Sequence, residues 1–171
     1  MEGSPIKAFT TFEPFAMAIA RGIKPHETRS RWTSIRGRVA IHAGKKSFEF
    51  GNDTERKIIS DALGFSPRKY LLGSRTCEEL ERYMAGINEL PHGAVIGTVE
   101  IVDCIPTEEV SSGLTELEML LGDYSRGRYA WVLRDPVLFE KPIPARGNLG
   151  WWEWNGPPEA GEEQQNNGAN C

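Results

Sequence analysis

Residues 94–105 carry the longest β signal in this chain. Val95, Val99, Ile101 and Ile105 are β-branched, and the run stops only at Pro106. Branched side chains suit a pleated surface, and proline lacks the N–H that would extend the ladder. Such a strand needs partners, and the sequence offers several. Residues 38–43 alternate, with Val39 and Ile41 set against Arg38 and Ala40, and Gly44 closes the run. Residues 129–133 form another strand, turned at Asp135-Pro136, and residues 137–140 return as a further one. Shorter strands are expected over residues 6–11, 26–30 and 151–154. Pro142 and Pro144 confine residues 141–145 to an edge or loop.

Helical signals are short. Glu13-Pro14 suits a helix start, Phe15 and Ile19 lie on its apolar stripe with the alanines, and Gly22 ends it. Further helices are expected over residues 55–63, with Thr54 as N-cap, over residues 77–84, and over residues 115–121. Five or six short strands with a few short helices predict an α+β protein whose sheet curls into a barrel. Periodicity alone does not separate a closed barrel from an open sheet. Residues 1–155 read as one domain. Residues 156–171 lack aromatic and branched aliphatic side chains and read as a disordered acidic tail.

No stretch reaches the roughly 18 uncharged apolar residues that a membrane helix needs. The N-terminus has no basic region followed by an apolar run, so a cytoplasmic location is expected. Cys77, Cys104 and Cys171 are far apart, and no histidine flanks them at finger spacing. Neither a metal nor a cofactor is expected.

Charge is distributed unevenly. Between Arg21 and Lys46 stand eight basic residues and one acid, Glu27, a local charge of +7 in a chain of net charge −4. The remainder therefore carries −11. A basic stretch in an acidic chain marks an anion site or a solvated face. Within it, Gly22 and Pro25 break any helix, so Lys24, Glu27 and Arg29 cannot share a helical face. In an extended segment Glu27 and Arg29 point to the same side, with Lys24 entering from the preceding turn. They either flank one cleft or form a salt bridge that staples the fold. Arg29 suits a phosphate through paired hydrogen bonds, whereas Lys24 acts as a point charge. His42 alternates with Ile41 and is expected to face the cleft. Trp32 offers a stacking surface, and Arg36, Arg38, Lys45 and Lys46 offer phosphate contacts. Trp131 is expected in the core. In the Trp151–Trp154 segment, alternation puts Trp152 and Trp154 on one face and Trp151 on the other.

Gly22-Ile-Lys-Pro-His-Glu-Thr-Arg29 resembles the signature of the ASCH (activating-signal-cointegrator homology) family, glycine-x-lysine-x-x-glutamate-x-arginine. Arg36-Gly-Arg-Val-Ala-Ile-His-Ala-Gly-Lys-Lys46 is similar to the family's second block. Gly93-Ala-Val-Ile-Gly-Thr-Val-Glu-Ile-Val-Asp103 is similar to its third, and Arg128-Tyr-Ala-Trp-Val-Leu133 to the strand that follows. The resemblance implies a PUA-like β-barrel of five or six strands with short flanking helices, and a partner that is RNA or a nucleotide.

Four readings follow from that resemblance. One subgroup consists of N4-acetylcytidine amidohydrolases, which use a lysine, a threonine three residues later and a distant glutamate. Lys24 matches the lysine. Glu27 stands at the threonine position with Thr28 beside it, and Glu100 is the candidate for the glutamate. A desolvated Lys24 would act as base with Glu27 orienting it. A second class is ribonucleolytic, with Lys24, His42 and Arg29 handling the 2′-hydroxyl proton and the phosphorane charge. The remaining readings are non-catalytic: a reader of single-stranded RNA or modified bases, or a coactivator-type interaction module.

Overall fold

In the computed structural model, residues 5–64 and 89–156 are described. The expected helix over residues 77–84 and the tail beyond residue 156 lie outside them. In chain order the elements are β1 (Ile6–Glu13), α1 (Phe15–Ala20), β2 (His26–Arg29), β3 (Gly37–Ser47), α2 (Asp53–Ala62), β4 (Ala94–Pro106), α3 (Thr107–Val110), a 3-10 turn (Ser111–Gly113), α4 (Glu116–Leu121), β5 (Tyr129–Pro144) and β6 (Trp151–Trp154).

The six strands form one mixed sheet in the order β2-β5-β4-β3-β1-β6. β1 and β3 run parallel, and every other neighbouring pair is antiparallel. A parallel pair needs a crossover, which α1 and β2 supply. The 94–105 run becomes β4, which pairs with β3 and β5. Its alternate residues Val99 and Ile101 join Phe9, Val39, Ile41, Trp131 and Leu133 in the main core. α1 lies on that core through Ala16, Met17, Ala18, Ile19 and Ala20, all buried. Its alanines let a one-and-a-half-turn helix sit close to the sheet. A second, smaller cluster on the opposite sheet face gathers Ala8, Ala40 and Val95 under Trp152 and Trp154.

The α+β class holds, but the sheet is not closed. The two ends of the ladder, β2 and β6, are not joined by backbone hydrogen bonds. β6 pairs with β1 only from Ile6 to Phe9. Beyond Phe9 the Thr10 carbonyl accepts from Arg29 Nη2 of β2 at 2.9 Å. The indoles of Trp131 on β5 and Trp151 on β6 stack with centroids 4.9 Å apart. Side chains therefore bridge a seam that the backbone leaves open.

Three expected boundaries shift for local reasons. Gly44 does not end β3, which runs on to Ser47; a Cβ there would stand 3.3 Å from the Thr11 carbonyl oxygen, so glycine serves the approach of β1. The N-cap of α2 is Asn52, whose side chain accepts from Glu55 N, rather than Thr54. Asp135-Pro136 does not turn the chain. β5 continues through it, with Asp135 at φ 48° and the β4–β5 register shifting between Thr98 and Glu100. The irregularity bends one long strand instead of separating two.

Gly97 sits inside this bent region. A Cβ at that position would lie 2.3 Å from the Val137 carbonyl oxygen and 3.3 Å from Leu138 Cα, both main-chain atoms. Gly97→Ala is expected to cost about 2 kcal/mol, lowering the melting temperature by roughly 4–8 °C in thermal denaturation. An unchanged melting temperature would show that the β4–β5 bend yields freely.

Candidate functional site

The segment after α1 is set by the main chain before any side chain contributes. Ile23 N and Lys24 N both donate to the Ala18 carbonyl, at 2.8 and 3.0 Å. Gly22 makes the reversal with φ 73°. Leu133 N then donates to the Pro25 carbonyl at 2.9 Å, delivering the chain to β5. β2 pairs with β5 with Glu27 opposite Trp131 and Arg29 opposite Tyr129. The extended conformation puts Glu27 and Arg29 on one face, as their spacing requires.

Lys24, Glu27 and Arg29 converge there. Lys24 Nζ lies 3.3 Å from Glu27 Oε2 and also donates to the His26 carbonyl. Arg29 Nε and Nη2 both reach Glu27 Oε1 at 2.8 Å. Lys24 is 3% exposed and Glu27 5%, whereas the Arg29 side chain is 34% exposed. Burial pushes the Lys24 ammonium below its ordinary pKa, partly countered by Glu27. Burial also opposes charge on Glu27, but Lys24 and Arg29 together outweigh it and hold the carboxyl below the usual carboxylate range. The Arg29 guanidinium carbon lies 5.9 Å from the Phe9 ring centre and 5.4 Å from that of Trp131. With Nε and Nη2 engaged, Nη1 has no partner among the described residues. It is a donor held at the seam.

His42 does not join them. It lies beside Thr10 across the β1–β3 pair, on the face opposite Phe9 and Ile41. There Nε2 meets the Ala145 carbonyl at 3.0 Å, and Trp152 packs edge-on at 5.5 Å. Gly147 covers it so closely that a Cβ would come within 2.4 Å of Nδ1. Burial holds its pKa below that of a free histidine. Lys24, Arg29 and His42 are therefore not assembled into one three-residue constellation. Glu100 is also remote from Lys24. It pairs across the ladder with Arg38 and Arg134, on the His42 face. Thr28 points away from Glu27, and its hydroxyl accepts from Asp123 N at 2.9 Å.

The basic run separates in space. Trp32 stands 56% exposed between β2 and β3. Arg36 is tied to Asp103 at 3.0 Å and to the carbonyls of Thr33 and Ile35. Arg38 donates to the Asp135 carbonyl. Lys45 and Lys46 are exposed at the other end of β3, roughly 23–33 Å along the chain from Arg38 and Arg36. The two pairs therefore do not form one local patch.

Sequence reasoning missed the back of β2. His26 Nδ1 lies 3.7 Å from Glu118 Oε1, and the Tyr124 ring meets the imidazole edge-on at 6.2 Å. Burial and the nearby carboxylates of Glu118 and Glu27 push the Tyr124 hydroxyl pKa up. The readable signal was the Thr115–Glu118 spacing, which forms a capping box and fixes Glu118 toward β2. Trp131 lies in the core as expected, but no spacing in the chain links it to Trp151, which stacks on it, or to Arg29, whose guanidinium carbon stands over its ring. Cys104 is buried, and burial pushes its thiol up. Among the described residues no helix is long and apolar enough to cross a membrane.

Comparison with known proteins supplies the context for this arrangement. Activating signal cointegrator 1 of Mus musculus is 23% identical over 141 residues, covering 82% of this chain and 21% of its own length. The chain thus spans about a fifth of that relative. Crystal structures of the ASCH protein of Zymomonas mobilis are 18% identical, with TM-score 0.42 and coverage of 81% of this chain and 72% of theirs. A further single-residue variant of that protein gives TM-score 0.41. The family model described as ASCH domain matches residues 9–143, through β1, the Lys24–Glu27–Arg29 segment and most of β5, and this chain belongs to the ASCH domain family.

Proposed function

We propose that this domain binds RNA or a nucleotide at the seam between β2 and the β1–β6 edge, as a PUA-like, partly closed barrel acting in the cytoplasm. The observation that carries the reading is the state of Arg29. Its Nε and Nη2 are fixed by Glu27 and Thr10, its guanidinium carbon stands 5.4 Å from the Trp131 ring centre, and Nη1 has no partner among the described residues on a side chain one-third exposed. Such a guanidinium is ready to take a phosphate or carbonyl oxygen without further loss of rotamer freedom. Lys24 and Glu27 form the floor that holds it. Trp32 and the exposed Lys45 and Lys46 extend the contact along the strand as separate stacking and phosphate positions.

A fluorescence-anisotropy titration of a short single-stranded RNA against salt tests the reading. Affinity is expected to fall linearly with salt on logarithmic axes. Arg29→Ala, which removes the fixed guanidinium, is expected to weaken binding by about 1.5–3 kcal/mol, roughly ten- to a hundredfold. Equal affinity of Arg29→Ala and wild type would remove the seam as the binding site.

One observation favours a hydrolytic version of this site. Burial lowers the Lys24 pKa while Glu27 stays within 3.3 Å, the arrangement of a base with its orienting carboxylate. The substrate would be RNA or a modified nucleoside such as N4-acetylcytidine. Incubation with both, followed by mass spectrometry, reads release of acetate, cleaved RNA or no change. Lys24→Arg retains charge but cannot deprotonate at neutral pH. Turnover that persists in that variant would exclude Lys24 as the base, and absence of any product with wild type would leave the non-catalytic reader.

A further inference from the structure

The Lys24 side chain is 2% exposed, so no ligand atom reaches its ammonium in this state. A buried group that is to meet a substrate must be uncovered by something that moves. Among the described residues, Nζ meets Glu27, the His26 carbonyl and the Phe15 ring, whose centre lies 5.9 Å away. Glu27 is pinned at its other oxygen by Arg29 at 2.8 Å. The His26 carbonyl belongs to the main chain of β2, which is paired with β5. Neither can yield without breaking charge-assisted bonds or a strand pairing.

Phe15 is held less firmly. It opens α1 and is the one residue of that helix that is not buried, and the Pro14 before it supplies no side-chain cap. Its ring rests on two others, Phe48 at 4.9 Å and Phe50 at 6.1 Å. Phe50 is 5% exposed, whereas Phe48 is 44% exposed. The rings thus lead outward from the ammonium through Phe15 to Phe48 and water. Side chains that reach solvent change rotamer far faster than paired strands separate.

We infer that the Phe15 ring is a gate over Lys24: closed, as here, it shuts the ammonium off from water, and turned aside it admits a ligand atom to Nζ from the Phe48 side. The inference rests on the hydrolytic form of the reading above, which needs contact between Lys24 and substrate, and gives that contact a direction. An entering base meets Phe48 first, an exposed ring on which it can stack as Phe15 turns away. Phe15 itself is a positioning residue, acting through the access it gives to Lys24.

Acetylation of amines on the whole chain at neutral pH, read lysine by lysine in a mass spectrometer, tests the gate without any ligand. In wild type Lys24 is expected to react at least about tenfold more slowly than the exposed Lys45. Phe15→Ala is expected to raise the Lys24 rate about tenfold and leave that of Lys45 unchanged. Phe48→Ala, at the surface, is expected to raise it by a smaller factor and keeps the test open if Phe15→Ala does not fold. Phe15→Tyr retains the ring and is expected to react like wild type. Val99→Ala truncates the core on β4 and separates gating from general loosening, with melting temperatures recorded for every variant. A rise at Lys24 in the Phe15 and Phe48 truncations that Val99→Ala does not match supports the gate. An unchanged Lys24 rate in both truncations, an equal rise in Val99→Ala, or wild-type Lys24 reacting as fast as Lys45 would overturn it. No nucleotide is present, so these outcomes stand apart from the functional reading, which alone falls if wild type neither binds nor turns over RNA.

Discussion

Glu27→Ala is expected to destabilise the fold by about 3–5 kcal/mol in urea denaturation at neutral pH, because it strands a buried ammonium. Glu27 is the common partner of Lys24 and Arg29, and among the described residues its removal leaves Lys24 with the His26 carbonyl alone in a setting that excludes water. Glu27→Gln is expected to lose less, since an amide still accepts from Arg29. The informative variant is the double substitution Lys24→Met with Glu27→Leu. Replacing a buried ion pair by apolar groups of similar size is often neutral or stabilising. Recovery of stability in the double variant together with loss of RNA binding would mean that the ion pair is kept for the ligand. Recovery with binding intact would identify it as a staple.

Glu13 is expected to impose a pH dependence of opposite sense to that of an ordinary surface carboxylate. It is fully buried at the end of β1, its Oε2 accepts from Met17 N at 3.0 Å, and its Oε1 has no partner among the described residues. Burial raises its pKa from 4.5 to about 7, although the Met17 N–H and the Arg21 charge oppose the shift. The folded state therefore holds this proton more tightly than the unfolded chain. The stability it contributes is fully present below pH 4.5 and is lost as the pH rises through 7, by about 3 kcal/mol in all. Glu13→Gln keeps an acceptor for Met17 N and does not ionise. The stability of the variant relative to wild type is expected to grow by about 3 kcal/mol between pH 4.5 and 8. Parallel stability–pH profiles for the two proteins would show that Glu13 stays charged in the fold.

The features read correctly from sequence are those set by local chemistry. The β-branched run at 94–105 and the alternation at 39–41 predict β4 and β3, and the glycine and proline around Lys24 predict an extended segment with Glu27 and Arg29 on one side. His42 was legible only in part. Alternation separates it from Ile41, yet a sheet has two faces, and the sequence does not say which one a cleft occupies. The structure puts His42 under Gly147 and leaves Lys24 on the other side. Charge counting failed for a similar reason. Eight basic residues within 26 positions look like one patch, but β3 carries Arg38 and Lys45 to opposite ends of a strand. The bend at Asp135 misled because an Asp-Pro pair marks a turn only if the partner strand also stops, and β4 continues beside it.

The pairing of β1 with β6 has a consequence for how such a domain is carried within other chains. Ile6 is the register partner of Trp154, so the first and last strands of the sheet enter and leave side by side, roughly 5 Å apart at the main chain. A polypeptide can therefore depart into this unit and return to nearly the same point. Insertion between two residues of an exposed loop in a host protein would stretch neither partner, and a short peptide joining the two ends would allow new termini to be opened elsewhere, for instance within residues 122–127. The module is portable because its entrance and its exit are one doorway.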